Sequence, residues 1–232
     1  MSDLIIPKHL GLIVDGNRRW AKARNLSPLY GHEVGIRDVL PGIINQAHRV
    51  GVEEVSAWIF STENWDRSDE EVDHLMQLFI KFTERLLDRA KEDSIEVKHV
   101  GRKDRIPSLL VESLIRLEKA TLGLPKRLNL CIDFGGRDEI ATAVRGIVKN
   151  CVSEENIDEG LIGDYVNKYN GFRFSPDLII RTGGAQRTSG FMVWEAAYAE
   201  LAFEESYFPD FTQDLLMKWL SEYSSRERRF GK

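Results

Sequence analysis

The sequence predicts a single α/β domain whose core is a mostly parallel β-sheet flanked by helices. Three observations lead to this fold class: short apolar runs alternate with longer amphipathic stretches, no internal repeat or linker interrupts the chain, and 232 residues are enough for one large core. Strands that are covered by helices on both faces read as nearly continuous apolar runs. We therefore expect residues 1–232 to form one domain.

Five apolar runs have the length and composition of buried strands. In chain order they are 10–14 (LGLIV), 54–60 (EVSAWIF), 95–100 (IEVKHV), 127–132 (RLNLCI) and 177–181 (DLIIR). Apolar residues at helical spacing predict the helices, which are 33–50, 69–93, 107–122, 136–150 and 211–224. Helix 69–93 carries an apolar stripe typical of a core-facing helix. The stripe consists of Val72, Leu75, Met76, Phe79, Phe82, Leu86 and Leu87.

The bulk composition excludes several classes of protein. A net charge of −5 and a pI near 5.7 argue against a nucleic-acid binder, which usually needs a basic face. Two cysteines, Cys131 and Cys151, are too few to indicate a disulfide framework. The apolar stretch at the N-terminus is too short for a signal peptide, and no segment approaches the ~20 apolar residues of a membrane span. We expect a cytoplasmic protein.

Polar residues follow three of the five predicted strands. The first strand runs into DGNRR (15–19), the second ends in FSTENWDR (60–67), and the fifth ends in IIRTGGAQRTSG (179–190). In open parallel sheets the carboxyl ends of the strands share one edge, and ligands bind there. We therefore expect these three segments to meet in one polar site.

The residue types at this edge suit a compact phosphate ligand. Guanidinium groups bind phosphate oxygens in pairs, and glycines let main-chain N–H groups approach closely. The candidates are Arg18, Arg19, Arg67, Arg181, Arg187, Ser61, Ser189 and the amides of Gly16 to Arg19. Any one arginine could instead pair with a surface carboxylate. Neither GxxxxGK[ST] nor GxGxxG after a strand occurs, which disfavours P-loop and dinucleotide binding.

Asp15 has two possible roles. A carboxylate among arginines stays ionised and could hold Mg²⁺ against a diphosphate. On spacing alone, Asp15 could also cap a helix that begins near Asn17.

The motifs together resemble the cis-prenyltransferases, also called isoprenyl or undecaprenyl diphosphate synthases. The resemblance runs from about His9 to Gly231 and rests on HLGLIVDGNRRWAK, GH (31–32), FSTENWDRS, FGGRDEI, IIRTGG, RTSGFMVWEAAYAEL and RERRFG. It implies condensation of isopentenyl diphosphate with an allylic diphosphate such as geranyl or farnesyl diphosphate. A new Z double bond forms and diphosphate is released, with Mg²⁺ as cofactor. It also implies a six-stranded sheet, a hydrophobic tunnel lined by helix 69–93, and a homodimer.

The resemblance assigns roles to individual residues. Asp15 looks like the aspartate that brings Mg²⁺ to the diphosphate, and Glu200 looks like a second metal-side carboxylate. Asn64 matches a position close to the reacting atoms; because an amide is a poor base, we expect it to orient substrate while a diphosphate oxygen takes the proton. The substrate-binding residues implied are Gly16, Asn17, Arg18, Arg19, Trp20, His32, Ser61, Thr62, Glu63, Trp65, Arg67, Arg181, Arg187, Thr188, Ser189, Arg229, Phe230 and Gly231, the last three of which would reach the partner subunit.

Departures from the family pattern bear on the product. Ile59 stands where long-chain bacterial enzymes have a small residue, and a branched side chain there would narrow the tunnel. Gly190 is similar to the short-chain enzymes, and Ala185 replaces a common glutamate. We therefore favour a short product, about C15–C20, because a packed site does not readily admit extra methylenes. An arginine common before the GH pair is missing from residues 26–29, where Arg18 or Arg24 would have to substitute.

Four alternatives remain open from the sequence. The first is a long-chain (C50–C55) undecaprenyl diphosphate synthase that makes a cell-wall carrier lipid. The second is a non-catalytic partner subunit of the same fold, which the retained Asp15, S-T-E-N loop and arginines disfavour. The third is irregular, head-to-middle coupling on this fold. The fourth is a phosphate-binding protein unrelated to prenyl chemistry, which would leave the order of the motifs unexplained. At most peripheral membrane contact is expected.

Overall fold

A six-stranded, entirely parallel sheet forms the centre of the molecule. The structure is a computed structural model and describes residues 4–226. The strand order is β3-β4-β2-β1-β5-β6. The strands are β1 (His9–Ile13), β2 (Glu54–Ser61), β3 (Ile95–Val100), β4 (Lys126–Phe134), β5 (Leu178–Arg181) and β6 (Glu200–Phe203). The predicted fold class is confirmed, and all five strand predictions match a strand.

The sixth strand was not predicted because it is short and mostly unburied. β6 has four residues, pairs only with β5, and begins with a glutamate. Only Ala202 of β6 is buried, whereas β3 at the other edge is almost fully buried and was predicted.

Eight α-helices surround the sheet in the described residues. They are α1 (Asn17–Ala23), α2 (Pro28–Glu33), α3 (Leu40–Arg49), α4 (Asp69–Glu92), α5 (Ser108–Thr121), α6 (Gly136–Lys149), α7 (Glu159–Asn170) and α8 (Gln213–Ser225). The predicted helix 33–50 is interrupted: Val34–Val39 is π-helical, directly before α3, which carries Pro41 in its first turn. Proline cannot donate a main-chain hydrogen bond, so the regular helix restarts there.

The two faces of the sheet are covered by separate apolar clusters. Leu10 and Leu12 of β1 point into the larger cluster, which packs α3, α4, α5 and α8 on one face. Ile13, on the opposite side of the same strand, joins the smaller cluster with Phe134 and Phe191. This alternation follows from the two-residue period of a strand. Because helices cover both faces of the sheet, the polar groups of the sheet lie mainly at the amino and carboxyl ends of its strands, called the amino edge and the carboxyl edge below.

No α-helix within residues 4–226 is both long enough and apolar enough to cross a bilayer. The longest, α4, has 24 residues and carries charged side chains along its length.

Candidate active site

A cleft of about 760 Å³ opens at the carboxyl edge of the sheet. This volume lies within the roughly 300–1,000 Å³ of small-molecule sites. The ends of β1, β2 and β5 form its floor, and α1 and the start of α4 form its walls. Its polar lining includes Asp15, Arg18, Arg19, Lys22, His32, Ser61, Asn64, Arg67, Arg181 and Ser189.

Asp15 lies at the centre of the cleft and contacts two guanidinium groups. Its Oδ2 accepts a hydrogen bond from Arg181 at 2.8 Å, and its Oδ1 lies 3.3 Å from Arg19. The main chain is held as well, since Thr182 Oγ1 accepts from the Asp15 N–H (3.0 Å) and donates to its carbonyl (2.7 Å). Asp15 does not cap α1. The residue before that helix is Gly16, and no side chain caps it.

The arginines keep Asp15 ionised. Burial alone would raise the pKa of its carboxyl, but the hydrogen bond and charge of Arg181, followed by the charge of Arg19, hold the pKa below its usual value of 3.8. A third of the side chain remains exposed to the cleft. The carboxylate is therefore charged, fixed and accessible.

Arg181 connects Asp15 to the loop that follows β5. Its Nη1 donates to the carbonyl of Arg187 (2.6 Å) and to Ser189 Oγ (2.7 Å), while its Nε is buried without a partner. An unpaired buried donor is costly in a folded protein.

The segment Ser61–Arg67 forms a second wall, built as a single 3₁₀ turn. The Ser61 N–H donates to Asn64 Oδ1 (3.0 Å), and the Ser61 side chain accepts from the Asn64 main chain, which makes a reciprocal cap. The carbonyl oxygen of Asn64 already accepts one hydrogen bond, and its NH₂ group can donate to a ligand in the cleft. An amide is a weak base, so Asn64 is better suited to orient a ligand than to accept a proton.

Glu71, which the sequence did not single out, joins three cationic or polar groups of the cleft. Its carboxylate lies 2.8 Å from Arg67, 3.5 Å from Arg18 and 3.4 Å from His32 Nε2. It is the third residue of α4, one helical turn from its N-cap Ser68. A glutamate in a first turn is usually read as a helix-dipole residue, which is why its sequence context gave no signal.

Burial and the surrounding charges set the protonation states of this group. Burial lowers the pKa of His32, so the ring is neutral near pH 7. The contact with His32 lowers the pKa of Glu71 to about 2; burial opposes the shift, and the charges of Arg67 and Arg18 add to it. Glu71 is therefore an anion that orients both arginines.

Glycines bring the first strand and α1 close to neighbouring elements. Gly16 has φ +101°, and a Cβ there would lie 2.6 Å from the Tyr207 ring. A Cβ on Gly31 would lie 2.1 Å from the Asn17 carbonyl oxygen. The GH pair therefore serves two purposes: Gly31 lets α2 approach α1, and His32 lines the cleft. The Asn17 side chain donates to the Val14 carbonyl (2.9 Å), so it mainly holds the turn.

An apolar wall continues the cleft inward from the polar groups. Ile36, Ile59, Phe60 and Leu75 line it. Of the α4 stripe, only Leu75 reaches this wall; the rest, such as Phe79, packs in the larger core cluster. Phe60 packs edge-on against the Phe79 ring, with centroids 6.1 Å apart. The site thus places charged groups directly above a short apolar pocket.

Several of the predicted substrate-binding residues do not line the cleft of this chain, so their contact with substrate stays a prediction. Trp20 is turned away and donates to Asp210 (2.7 Å), because α1 rotates successive side chains by about 100°. Trp65 packs against Phe60 and donates to Asp133 (2.9 Å). Thr62 packs against Gly135. The side chains of Glu63, Arg187 and Thr188 are also absent from the cleft lining.

The structure separates Glu200 from Asp15, so the predicted metal-side role of Glu200 has no support from the geometry of this chain and stays a prediction. Glu200 is the first residue of β6, at the amino edge of the sheet, whereas Asp15 follows the carboxyl end of β1. A strand rises about 3.3 Å per residue, so the two carboxylates are roughly 10 Å or more apart. Glu200 accepts a hydrogen bond from Arg226 instead (2.8 Å).

Lys22 supplies a cation where the sequence suggested a missing arginine. Lys22 and Arg18 line the cleft beside Leu26 and Pro28. Arg24 does not substitute, because its guanidinium binds Asp210 (3.0 Å) and stacks on Trp20. The predicted C-terminal residues Arg229, Phe230 and Gly231 lie outside the described residues.

The donor set can be tested for a magnesium ion. Within residues 4–226 no three acidic, histidine or cysteine side chains gather into a cage. Mg²⁺ does not need one, since it commonly binds through one or two carboxylates, water and substrate phosphate oxygens. The ionised and accessible Asp15 fits that mode.

A parallel sheet with arginines above an apolar pocket at the carboxyl ends of its strands suits a ligand with an anionic head and an apolar tail. Comparison with known proteins then identifies the family. Residues 13–231 match the family model described as "Putative undecaprenyl diphosphate synthase". The chain belongs to the cis-prenyltransferase family and is a prenyltransferase.

Relatives with curated names come from all three domains of life. An isoprenyl transferase of Listeria innocua is 38% identical to this chain, and the alignment covers 99% of this chain and 92% of the relative. A tritrans,polycis-undecaprenyl-diphosphate synthase (geranylgeranyl-diphosphate specific) of Pyrococcus abyssi is 41% identical, and the alignment covers 98% of this chain and 88% of the relative. Dehydrodolichyl diphosphate synthase 1 of Arabidopsis thaliana is 39% identical, and the alignment covers 98% of this chain and 77% of the relative.

Solved structures share the fold. Lavandulyl diphosphate synthase from Lavandula x intermedia, in complex with dimethylallyl diphosphate, superposes with a TM-score of 0.91 at 30% identity, covering 97% of this chain and 98% of that one. A probable undecaprenyl diphosphate synthase from Campylobacter jejuni gives a TM-score of 0.77 at 27% identity, with both chains fully covered.

Proposed function

We propose that this chain condenses isopentenyl diphosphate with an allylic diphosphate, forms a Z double bond and releases diphosphate, with a short final product of about C15–C20. The observation that carries the proposal is the group formed by Asp15, Arg181 and Arg19 at the mouth of a cleft whose inner wall is apolar. A prenyl diphosphate has the same division into a charged head and an apolar tail.

The arginines stabilise the charge that develops on the leaving group. Breaking the allylic C–O bond leaves two electrons on the diphosphate, and Arg19 and Arg181, which both contact Asp15 in the cleft, would stabilise that charge. The double bond of isopentenyl diphosphate then attacks C1 of the allylic carbocation, and a proton leaves C2 of the isopentenyl unit. When Mg²⁺ is bound, it would neutralise further diphosphate charge. Asp15 would hold it.

Asn64 acts in this proposal as an orienting donor. Its carbonyl oxygen accepts a hydrogen bond from the Ser61 N–H, and its NH₂ group would donate to the substrate. The departing proton then goes to a diphosphate oxygen, which is the stronger base.

Ile59 supports the short product. It lines the inner wall of the cleft and is only 9% exposed. Phe60 belongs to the same wall and packs on Phe79 behind it, and both side chains are fully buried. A growing chain would have to displace packed side chains, which is unfavourable for each added methylene.

The decisive experiment is product analysis of the purified chain with isopentenyl diphosphate, geranyl or farnesyl diphosphate, and Mg²⁺. Mass spectrometry should show mainly C15–C20 products, and chelation with EDTA should abolish turnover. Ile59→Ala should lengthen the products, because it opens the wall. Val55→Ala on the same strand is the matched control, since Val55 is buried but does not line the cleft.

Each rival has its own outcome in that assay. A dominant C55 product would establish the long-chain alternative, and unchanged product lengths in Ile59→Ala would remove Ile59 as the determinant. A complete lack of turnover would favour the non-catalytic subunit. Irregular coupling deserves a separate arm because the lavender structure holds dimethylallyl diphosphate. Consumption of dimethylallyl diphosphate alone would indicate it.

The proposed assembly is a homodimer in the cytoplasm, with at most peripheral membrane contact and no nucleic-acid partner. Three exposed apolar side chains on or near the edge strand β6 support a protein interface there: Val193, Tyr198 and Leu201. Light scattering of the purified chain tests the dimer, and Leu201→Lys should shift it towards the monomer.

A further inference from the structure

The end of β4 contains a strained and buried aspartate that the proposed mechanism does not use. Asp133 is fully buried and has φ +53°, in the left-handed region that non-glycine residues seldom adopt. Such a conformation persists only where the surroundings hold it, and it is found preferentially near functional sites. Its contacts therefore need an explanation.

The Asp133 carboxylate binds two side chains from two different loops. Its Oδ1 accepts from Trp65 Nε1 (2.9 Å), and its Oδ2 accepts from Arg105 Nε (2.9 Å). A second nitrogen of Arg105 also contacts Oδ1. The Arg105 guanidinium carbon lies 5.6 Å from the centre of the Trp65 ring. The three side chains form a closed group, with the charge of a buried carboxylate compensated on both oxygens.

The loop that carries Arg105 is itself fixed to the end of β4. The Arg102 N–H donates to the Asp133 carbonyl (3.0 Å). Gly101 has φ +132°, and a Cβ there would lie 2.2 Å from the Ile132 carbonyl oxygen. Arg105 thus reaches Asp133 from a main chain that cannot shift freely.

The other end of the group is the wall of the active-site cleft. Trp65 lies between Asn64 and Arg67, both of which line the cleft, and its ring packs on Phe60 with centroids 5.2 Å apart. Any displacement of the Trp65 ring would move its neighbours in the same 3₁₀ turn.

We propose that Asp133 and Arg105 are positioning residues that set the Ser61–Arg67 segment in its substrate-binding geometry through Trp65. They do not touch substrate. Their effect is exerted on Asn64 and Arg67, where a displacement of about 1 Å can cost up to roughly 10²-fold in rate. Only the kinetic test of this inference, the change in kcat/KM, rests on the proposed function.

The chain offers a closely matched pair of variants. Arg105 and Arg102 lie in one loop, and their side chains are 32% and 33% exposed. Arg102 forms a bidentate ion pair with Asp104, which is itself exposed. Arg105 forms a bidentate ion pair with the buried Asp133. Arg105→Gln should lower kcat/KM about tenfold. Arg102→Gln should leave it within about twofold.

Hydrogen exchange gives a readout that needs no substrate. In Arg105→Gln the amides of Ser61 and Arg67, which are bonded to Asn64, should exchange faster, while those of Arg102→Gln should match the native protein. Asp133→Asn keeps an acceptor for Trp65 but loses the ion pair, so it should resemble Arg105→Gln.

The outcomes separate the inference from the proposed function. Native exchange at residues 61–67 in Arg105→Gln overturns the positioning role. So does a reduced melting temperature with unchanged kcat/KM. If the native chain shows no prenyl transfer, the proposed function fails and the exchange measurement still decides the inference.

Discussion

Two polar clusters lie at opposite edges of the same sheet, and they differ in how far they are exposed. At the amino edge, His9, Glu54, Ser56 and Asn129 are all fully buried. At the carboxyl edge, the side chains of Asp15 and Arg19 remain 32% and 49% exposed. The two clusters contain similar residue types, so composition alone does not distinguish them.

The amino-edge cluster is closed by its own chain. Glu54 accepts from the main-chain N–H groups of Arg173 (3.0 Å) and Phe174 (3.1 Å) and from Asn129 (2.6 Å). Both ring nitrogens of His9 are occupied as well, by the Phe174 carbonyl (2.6 Å) and Ser56 (2.7 Å). Buried polar groups that hydrogen-bond to one another in this way stabilise the fold. Asn129 Oδ1 is buried without a partner, but Asn129 does not line the cleft. The comparison teaches that exposure to a cleft, and neither polarity nor an unpaired buried atom, marks the active site.

The largest expected effect is at the open cluster. Asp15→Asn keeps the shape of the side chain and removes its charge, so kcat should fall about 10²–10³-fold. The midpoint of urea unfolding should change little, because Asp15 and Arg19 are partly exposed and Arg181 keeps its hydrogen bonds to Arg187 and Ser189. Turnover above a tenth of the native value would show that the carboxylate is not needed for chemistry.

The next largest effect is at the closed cluster, and it should appear in stability. Glu54→Gln places an NH₂ group against main-chain donors inside the protein, which should lower the free energy of unfolding by about 3 kcal/mol. Below the unfolding transition, kcat per folded molecule should remain native. Loss of activity without loss of stability would remove the distinction between the two clusters.

A smaller, pH-dependent effect comes from His9. Burial lowers the pKa of its ring below 6.5; the charge of Glu54, the Phe174 hydrogen bond and the charge of Asp177 oppose the shift without reversing it. The unfolded chain therefore binds more protons than the native one below pH 6.5, and this residue makes stability fall as the pH is lowered. His9→Gln should remove up to about 1.4 kcal/mol of that loss per pH unit.

Urea titrations of native and His9→Gln protein between pH 5 and pH 8 measure this effect. The hydrogen bonds that the variant loses change its free energy of unfolding equally at every pH, so only the slope of that free energy with pH is diagnostic. Equal slopes in the two proteins would mean that His9 binds a proton equally well in the native and unfolded states.

Much of the fold could be predicted because its signals are local. The run from Leu10 to Ile13 is apolar because a central parallel strand is covered on both faces. α2 and α7 were not predicted: α2 is short, and α7 buries only Val166 and Asn170, so neither has a long apolar stripe. A helix near Asn17 was considered only as a possible site for an Asp15 cap. The position of α2 depends on its contact with α1, where Gly31 approaches Asn17.

The candidate site was predictable only to the level of segments. Arg18, Arg19 and Trp20 are consecutive, yet the first two face the cleft and Trp20 faces Asp210. Which of them faces the cleft depends on the rotation of α1 against the sheet, and a sequence does not contain that angle. Glu71 was missed because a glutamate in the first turn of a helix usually interacts with the helix dipole. Its contacts with Arg18, His32 and Arg67 depend on how α4 packs.

By itself, the sequence determined that short apolar strands alternate with helices and that three strands end in glycines, hydroxyls and arginines. These properties belong to neighbouring residues and are readable as patterns. Only the tertiary structure decided that Asp15 binds Arg181 across 166 positions, and that Glu200 lies at the opposite edge of the sheet. Strand register and helix rotation fix those distances, and both result from packing of the whole domain.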